Sequence, residues 1–407
     1  MEIVYGVHAH PQTVVSNCVG QLRDPSNAKL AIAFCGGKHP PRPVRMALRQ
    51  ELGDGCPVVG GAAAGAISQA GFGYTGLELI LAVFYEDDPT PDFSVVARLD
   101  AGERAAGREL GARLANSAPT DSVIALFYDS VAASGAGPPT LHPAAPLVEG
   151  FYEGLGRTDV HVVGAGLLTD LPLSGGWVFD GDGVVKHGAV AVAFPAEIGA
   201  VTTIMHGCRP VSAFMEVTRA EGAVVHELDG RPALAVLEEM IGVKFSGPDA
   251  RNITLLATLG RKHGDRYAAF DEKAYVNRLI LGADPESGAI TMFEPDFGVG
   301  TRVQIMARDN GLMIESIRDG VAEIARQVGQ RKLLFTLYLD CAGRASASTG
   351  APVEEAAVAI EASRDLGPML GFYSGVEIAP VGAGAGADGL SRPLDWTAVM
   401  SALYWRD

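Results

Sequence analysis

The chain has 407 residues, 48% hydrophobic and 20% charged, with a formal net charge of −16. That length suits two or three domains, and the composition excludes a disordered chain. The acidic balance and the absence of any Lys/Arg run argue against a nucleic-acid binder, and no apolar run approaches the ~20 residues of a membrane helix.

The N-terminal "MEIVYGVHAHPQ" lacks the basic-then-apolar order of a signal peptide. Cys18, Cys35, Cys56, Cys208 and Cys341 are odd in number and form no C-x-x-C, which argues against a disulfide framework or structural zinc site and for a reducing compartment. A cytoplasmic location is therefore expected. "HAH" places His8 and His10 on one face if that segment is a strand, a weak metal candidate.

Apolar runs bounded by Gly, Pro or Asp then follow. "KLAIAFCGG", "CPVVGGAAAGA", "GLELILAVFYE" and "FSVVARLD" read as strands, with the helix "PVRMALRQELG" among them. "GERAAGRELGARLANS" is helical, "DSVIALFYDS" a strand, "APLVEGFYEGLG" a helix, and "VHVVGAGLL" and "GAVAVAFP" strands. "AEGAVVHELDG" is a hairpin, and "LDGRPALAVLEE" has Asp229 as a helix start with Pro232 in its first turn. "YVNRLILGADPESGAITMFEP" is two strands across a turn, "KLLFTLYLD" a strand and "PVEEAAVAIEASRDLG" a helix.

This order contains a repeat. Strand, helix, strand and strand recur over residues 30–85, 122–194 and 333–405. The predicted class is α/β (α+β): mixed β-sheets with flanking helices, built from repeated β-α-β-β units in two packed domains, residues 1–198 and 199–407. In each unit the first strand ends in small, polar or sulfur residues and the second in glycine, as at Cys35, Gly60 and Gly61, or Asp340, Cys341 and Gly371. Ligands in open α/β sheets sit beyond such strand ends, and glycine admits close approach. The same glycines also suit tight turns and close packing.

Several residue types at these ends can hold a ligand. Arg344, after "LDCAG", can fork to an anionic group or to Glu377, the one charge in the apolar stretch "GFYSGVEIAP". With Tyr373 nearby, a cleft carrying both signs of charge suits a small zwitterion such as an amino acid. Arg209 is a candidate of the same kind. Cys35 or Cys341 could act as a nucleophile beside a histidine, although a small buried thiol is the commoner state. "HGC" offers His206 and Cys208 as half of a haem or metal site.

These motifs resemble the FIST family of bacterial sensory proteins. "LAIAFCGG" and "CPVVGGAAAGAIS" are similar to its opening, and "VVGAGLL" and "FDGDGVVKHGAVAVAF" to the second half of its N-terminal region. "HGCRPVSAFMEVTRAEGAVVHELDGRPAL", "LYLDCAGR" and "LGFYSGVEIAP" resemble its remaining motifs. Where the family tends to place Ser-Thr and Glu in the first glycine loop, this chain has Ala62, Ala63, Ala64 and Ala66; "LSRPLDWTAV" replaces a His-Asn pair.

Composition, the strand-end residues and the resemblance together lead to the expectation of a non-enzymatic cytoplasmic sensor of a small polar ligand, without metal or cofactor, contacting neither nucleic acid nor membrane. It would signal through a separate histidine kinase, cyclase or chemotaxis-type partner. The expected ligand-binding residues are Cys35, Gly60, Gly61, Asp340, Cys341, Arg344, Tyr373 and Glu377. Two alternatives stand beside it: a haem-binding nitric-oxide sensor with His206 as axial ligand, and a cysteine-dependent enzyme.

Overall fold

The computed structural model describes residues 1–134, 139–245, 253–382 and 388–406. All three predicted units are present. Unit one is strand Leu30–Gly36, helix Pro41–Leu52 and strands Val58–Ala63 and Glu78–Phe84. Unit two is Val123–Asp129, helix Ala144–Leu155, His161–Leu167 and Ala189–Ala193. Unit three is Leu333–Cys341, helix Glu355–Ala362, Met369–Ser374 and Ala398–Trp405. In each, the first two strands are parallel and the last runs antiparallel to the first.

The period-two alternation of each first strand explains how the units assemble. Leu30, Ile32 and Phe34 face a core shared with Val123, Ala125 and Phe127 of unit two and Phe335, Leu337 and Leu339 of unit three. The intervening residues face separate outer cores, which in units one and two lie under the unit's own helices. At the centre Phe34 stacks on Phe372 with ring centroids 3.9 Å apart, and Phe127 meets them edge-on at 5.0 and 5.9 Å. Such aromatic pairs each add ~0.5–1.5 kcal/mol beyond simple burial.

The units also exchange strands in a ring. Past its second strand, unit one sends Gly65–Ser68 to pair with Met369–Ser374 of unit three. Unit three sends Glu377–Pro380 to His161–Leu167 of unit two, and unit two sends Val178–Gly181 to Val58–Ala63 of unit one. The receiving strand carries glycine at the same place each time. Gly60 lies between Ala33 and Phe179, Gly164 between Leu126 and Ile378, and Gly371 between Tyr338 and Ile67. Gly60 has φ 110°, a left-handed value that favours glycine. A Cβ on Gly164 would lie 1.8 Å from the Leu126 carbonyl oxygen.

The chain between units two and three starts with strand Ile198–Met205, which joins the sheet of unit three beside Ala398–Trp405. Strands Arg302–Arg308, Met215–Glu221, Val224–Leu228, Ala289–Met292, Tyr275–Asp284 and Ala257–Lys262 follow one another by pairing, and the last returns to the first. The result is a closed ring of strands filled by its own core, with Leu234 and Leu237 of helix Ala233–Ile241 packed into it. That helix starts at Ala233, not Asp229. Asp229 sits in the hairpin turn at φ 49°, where its Oδ1 accepts the Glu216 N–H.

Among the helices the sequence reading does not place, two are long. Pro11–Val19 begins directly after "HAH", so His10 is the residue before a helix and not part of a strand. Asn310–Val328 packs against Ile198–Met205 and is capped by Asp309, whose side chain accepts from the Leu312 N–H.

Candidate functional site

Beyond the carboxyl ends of Leu333–Cys341 and Met369–Ser374 the structure gathers a buried polar cluster. Asp340 and Cys341 close the first strand, Tyr373 and Ser374 the second, and Glu377 starts the arm that crosses to unit two. Arg344 lies in the short turn after Cys341, and Glu355 opens the helix that follows. Asp340, Arg344, Glu355, Tyr373, Ser374 and Glu377 are all buried. Five of the eight expected residues thus come together: Asp340, Cys341, Arg344, Tyr373 and Glu377.

The pairing within the cluster differs from the expected one. Arg344 does not meet Glu377. Its Nε donates to Glu355 Oε2 at 3.1 Å and its Nη2 to Glu355 Oε1. Its Nη1 donates to the carbonyls of Trp396 at 2.9 Å and His206 at 3.1 Å. Asp340 Oδ1 lies 3.5 Å from Arg344 Nε, too long for a good hydrogen bond, and has no other partner. Glu377 Oε1 accepts from the Ser374 hydroxyl at 2.8 Å, and its Oε2 has no hydrogen-bond partner.

Burial pushes the Asp340 carboxyl well above the usual carboxylate range, and the neighbouring Glu355 adds to this more than Arg344 offsets it. Burial likewise raises Glu377 against the hydrogen bond from Ser374. Glu355 is raised by burial in spite of its guanidinium partner. The cluster holds more carboxyl groups than Arg344 can neutralise, so the unbonded ones are driven toward the protonated form.

The side chains packed around the cluster come from several parts of the chain. Tyr373 donates its hydroxyl to Glu354 Oε1 at 3.1 Å, and Tyr74 from unit one donates to Glu354 Oε2 at 3.2 Å. The two tyrosine rings meet edge-on at 5.4 Å. Trp396, at φ 57°, covers another side beneath the Arg308 guanidinium, which lies 3.4 Å from its ring centroid. Burial lowers Arg308 to about 9. Asp395, raised by burial to about 6, is 3.8 Å from Arg278, whose guanidinium grips Asp296 through two 2.6 Å bonds.

Cys35, Gly60 and Gly61 do not belong to this cluster. The Cys35 thiol lies in the core under the unit-one helices. Gly60 and Gly61 lie where the incoming arm packs, and added Cβ atoms there would meet the carbonyl oxygens of Ala33 and Trp177 at 2.3 Å. Their small size serves strand packing, not ligand approach. The alanines of the first loop have a similar use: Ala66 faces Phe372 across the exchanged pair, and the Ala64 N–H reaches the Tyr373 carbonyl.

His206 is buried between the cluster and an open groove of about 780 Å³ lined by Arg209, Phe270, Glu272, Ser316, Asp319 and other residues. Glu272 on the groove wall accepts from the His206 N–H at 3.0 Å, the Ser316 hydroxyl at 2.5 Å and Arg209 at 2.8 Å. The His206 ring does not suit an axial haem ligand. Its Nδ1 accepts the Cys208 N–H at 2.9 Å, so in the neutral ring Nε2 carries the proton and has no lone pair for iron. His8 and His10 lie together, their rings 5.5 Å apart, but no group of three His, Cys, Asp or Glu suited to a metal occurs among the described residues.

Sequence reasoning missed Glu355, Ser374, Trp396 and Tyr74. His39 and His142, each directly before a proline, stand buried two residues ahead of the helices of units one and two, whereas in unit three Glu354 directly precedes the helix and Glu355 opens it, so the repeat carries no matching signal for Glu355.

The chain is 32% identical over 202 residues to an uncharacterized protein of Mycobacterium bovis and, to the same extent, to uncharacterized proteins of Mycobacterium tuberculosis. The match takes in 49% of this chain and 50% of each relative, so the chain spans about half the length of the curated relatives it matches. A crystal structure of cyanuric acid hydrolase from A. caulinodans aligns over 100% of this chain and 99% of that one, at 10% identity and a TM-score of 0.31. Among the described residues no helix is long and apolar enough to cross a membrane. Residues 29–231 match the FIST N domain and residues 233–380 the FIST C domain, and the chain therefore belongs to the FIST family, whose domains are associated with sensing in signal transduction.

Proposed function

We propose that the chain is a sensor that receives a small amine-bearing metabolite, an amino acid among them, at the carboxyls of Asp340 and Glu377. One observation carries this reading: Glu377 Oε2 and Asp340 Oδ1 are buried without hydrogen bonds, while the Arg344 guanidinium is held by Glu355. A buried acceptor left unpaired costs ~1–3 kcal/mol, and an ammonium group would supply both the missing donors and the missing positive charge. Binding would draw Glu377 back toward the carboxylate form and release its proton, so affinity rises with pH while the ligand amine stays charged.

The His206 main chain supports a route outward. Its carbonyl accepts from Arg344 in the cluster and its N–H donates to Glu272 on the groove wall. A shift of Arg344 reaches the open groove through one residue. There a separate partner of the kinase, cyclase or chemotaxis-receptor class would read it. The reading is of a binding protein and not an enzyme, in a cytoplasmic setting.

The test is thermal stability across a panel of amino acids and amines. A true ligand at 100-fold its dissociation constant adds ~2.7 kcal/mol. Glu377→Gln, which keeps the shape but cannot ionise, should weaken binding at least about tenfold, or ~1.4 kcal/mol. Folded protein that no amine-bearing compound stabilises, or a variant that binds as the wild type does, overturns the reading.

A further inference from the structure

The chain carries 32 Lys and Arg against 48 Asp and Glu. One end of the closed strand ring runs against that balance. Strand Ala257–Lys262 pairs antiparallel to Arg302–Arg308 with Gly260 opposite Gln304, so the end of one and the start of the other share a rim. A recess of about 280 Å³ there is lined by Arg261, Lys262, Arg266 and Arg302 with Phe214 and Thr301, and no carboxylate is among its lining residues.

These cations have few carboxylate partners, although Arg261 lies near enough to Asp296 to help hold its carboxyl low. Among the described residues Arg261 and Arg266 make no ion pair, and Arg302 has a single exposed contact, 3.9 Å from Glu216. Exposed contacts of that kind contribute only ~0–1 kcal/mol. The Arg266 guanidinium lies over the Phe214 ring, 5.5 Å from its centroid. Lys262 is held by the carbonyls of Ala268 at 2.6 Å and Arg266 at 3.3 Å. Four like charges around a small recess repel one another, and an anion of matching charge relieves that repulsion.

We propose that this recess binds an oligophosphate, a ligand with two or more linked phosphoryl groups. Guanidinium forks match phosphoryl oxygens two at a time, and three arginines with one lysine exceed what a single phosphate can satisfy. Phe214 adds an apolar face beside the phosphoryl chain, where the ring of a nucleotide could rest. The site lies on the inserted ring, apart from the carboxyl cluster, and does not rest on the reading of that cluster.

The experiment is titration of the full chain with inorganic phosphate, pyrophosphate, triphosphate and ATP at low and at physiological salt. Affinity should rise from phosphate to pyrophosphate to triphosphate and weaken with salt. ATP binding equal to triphosphate places recognition on the phosphoryl chain; tighter ATP binding adds a contact to the nucleoside, and both support the proposal. Arg261→Ala with Arg266→Ala should weaken pyrophosphate at least about tenfold, with an unchanged melting temperature because both side chains reach solvent. Pyrophosphate binding no tighter than phosphate, a double variant that binds as the wild type does, or binding of single-stranded oligonucleotides without pyrophosphate binding each overturn it.

Discussion

Arg344 is held by Glu355 and not by Glu377. The Nε–Oε2 bond of 3.1 Å and its Nη2–Oε1 companion form a two-point fork that uses one edge of the guanidinium, and two backbone carbonyls take up Nη1. Four of its five N–H donors are engaged in this way, and none of these bonds reaches Glu377. The carboxyl that first stood out in an apolar strand therefore stays unpaired on one oxygen.

Breaking the fork should be costly. Arg344→Ala or Glu355→Ala alone leaves a buried charge without its partner and should destabilise by ~3–5 kcal/mol, read by urea unfolding. Replacing both with apolar residues of similar volume, Arg344→Met with Glu355→Leu, should cost much less. A double variant as unstable as either single one would contradict the pairing.

The raised carboxyls make stability pH-dependent in a defined direction. Asp340, Glu377 and Glu294 bind protons more tightly folded than unfolded, and Glu294 is raised by burial to about 8. Above the ordinary glutamate value of ~4.5 the unfolded chain loses these protons first, so their contribution is full below that pH and is lost as pH rises toward the folded values. Glu377→Gln should gain stability relative to the wild type as pH rises above ~4.5, where Glu377 loses its proton more readily unfolded than folded. Parallel pH curves for the two proteins would show that Glu377 does not titrate in this way.

The glycines of the strand exchange should rank by the space around them. An added Cβ meets backbone oxygen at 1.8 Å at Gly164, at 2.3 Å at Gly60 and at 3.0 Å at Gly371. Gly164→Ala and Gly60→Ala should each lower stability by ~1–3 kcal/mol or more, and Gly371→Ala by less. Thermal unfolding of the three variants gives the order directly.

The thiols should be sluggish. All five cysteines are buried, and burial raises Cys18 to about 12 and Cys56 and Cys208 to about 11, with Cys35 and Cys341 also raised. Iodoacetamide at neutral pH should modify the native protein slowly and the urea-unfolded protein fast. One fast-reacting native thiol would revive the cysteine-dependent alternative.

By itself the sequence determined the local structure and the repeat, because both rest on short-range rules. Alternating apolar runs such as "LAIAF" and proline-to-glycine helices such as "PVRMALRQELG" specify strand and helix without knowledge of the rest of the chain. The gathering of Asp340, Cys341, Arg344, Tyr373 and Glu377 was legible for the same reason, since adjacent parallel strands end together. Helix Asn310–Val328, with its Asp309 cap, is equally local in origin. Which unit each arm crosses to, and therefore why Gly60 and Gly164 are glycine, depends on how three sheets pack around Phe34, Phe127 and Phe372. Whether Arg344 pairs with Glu355 or Glu377 is also a tertiary matter. Both carboxylates are chemically equal as partners, and only the path of the chain after Cys341 brings one of them within hydrogen-bonding distance of the guanidinium.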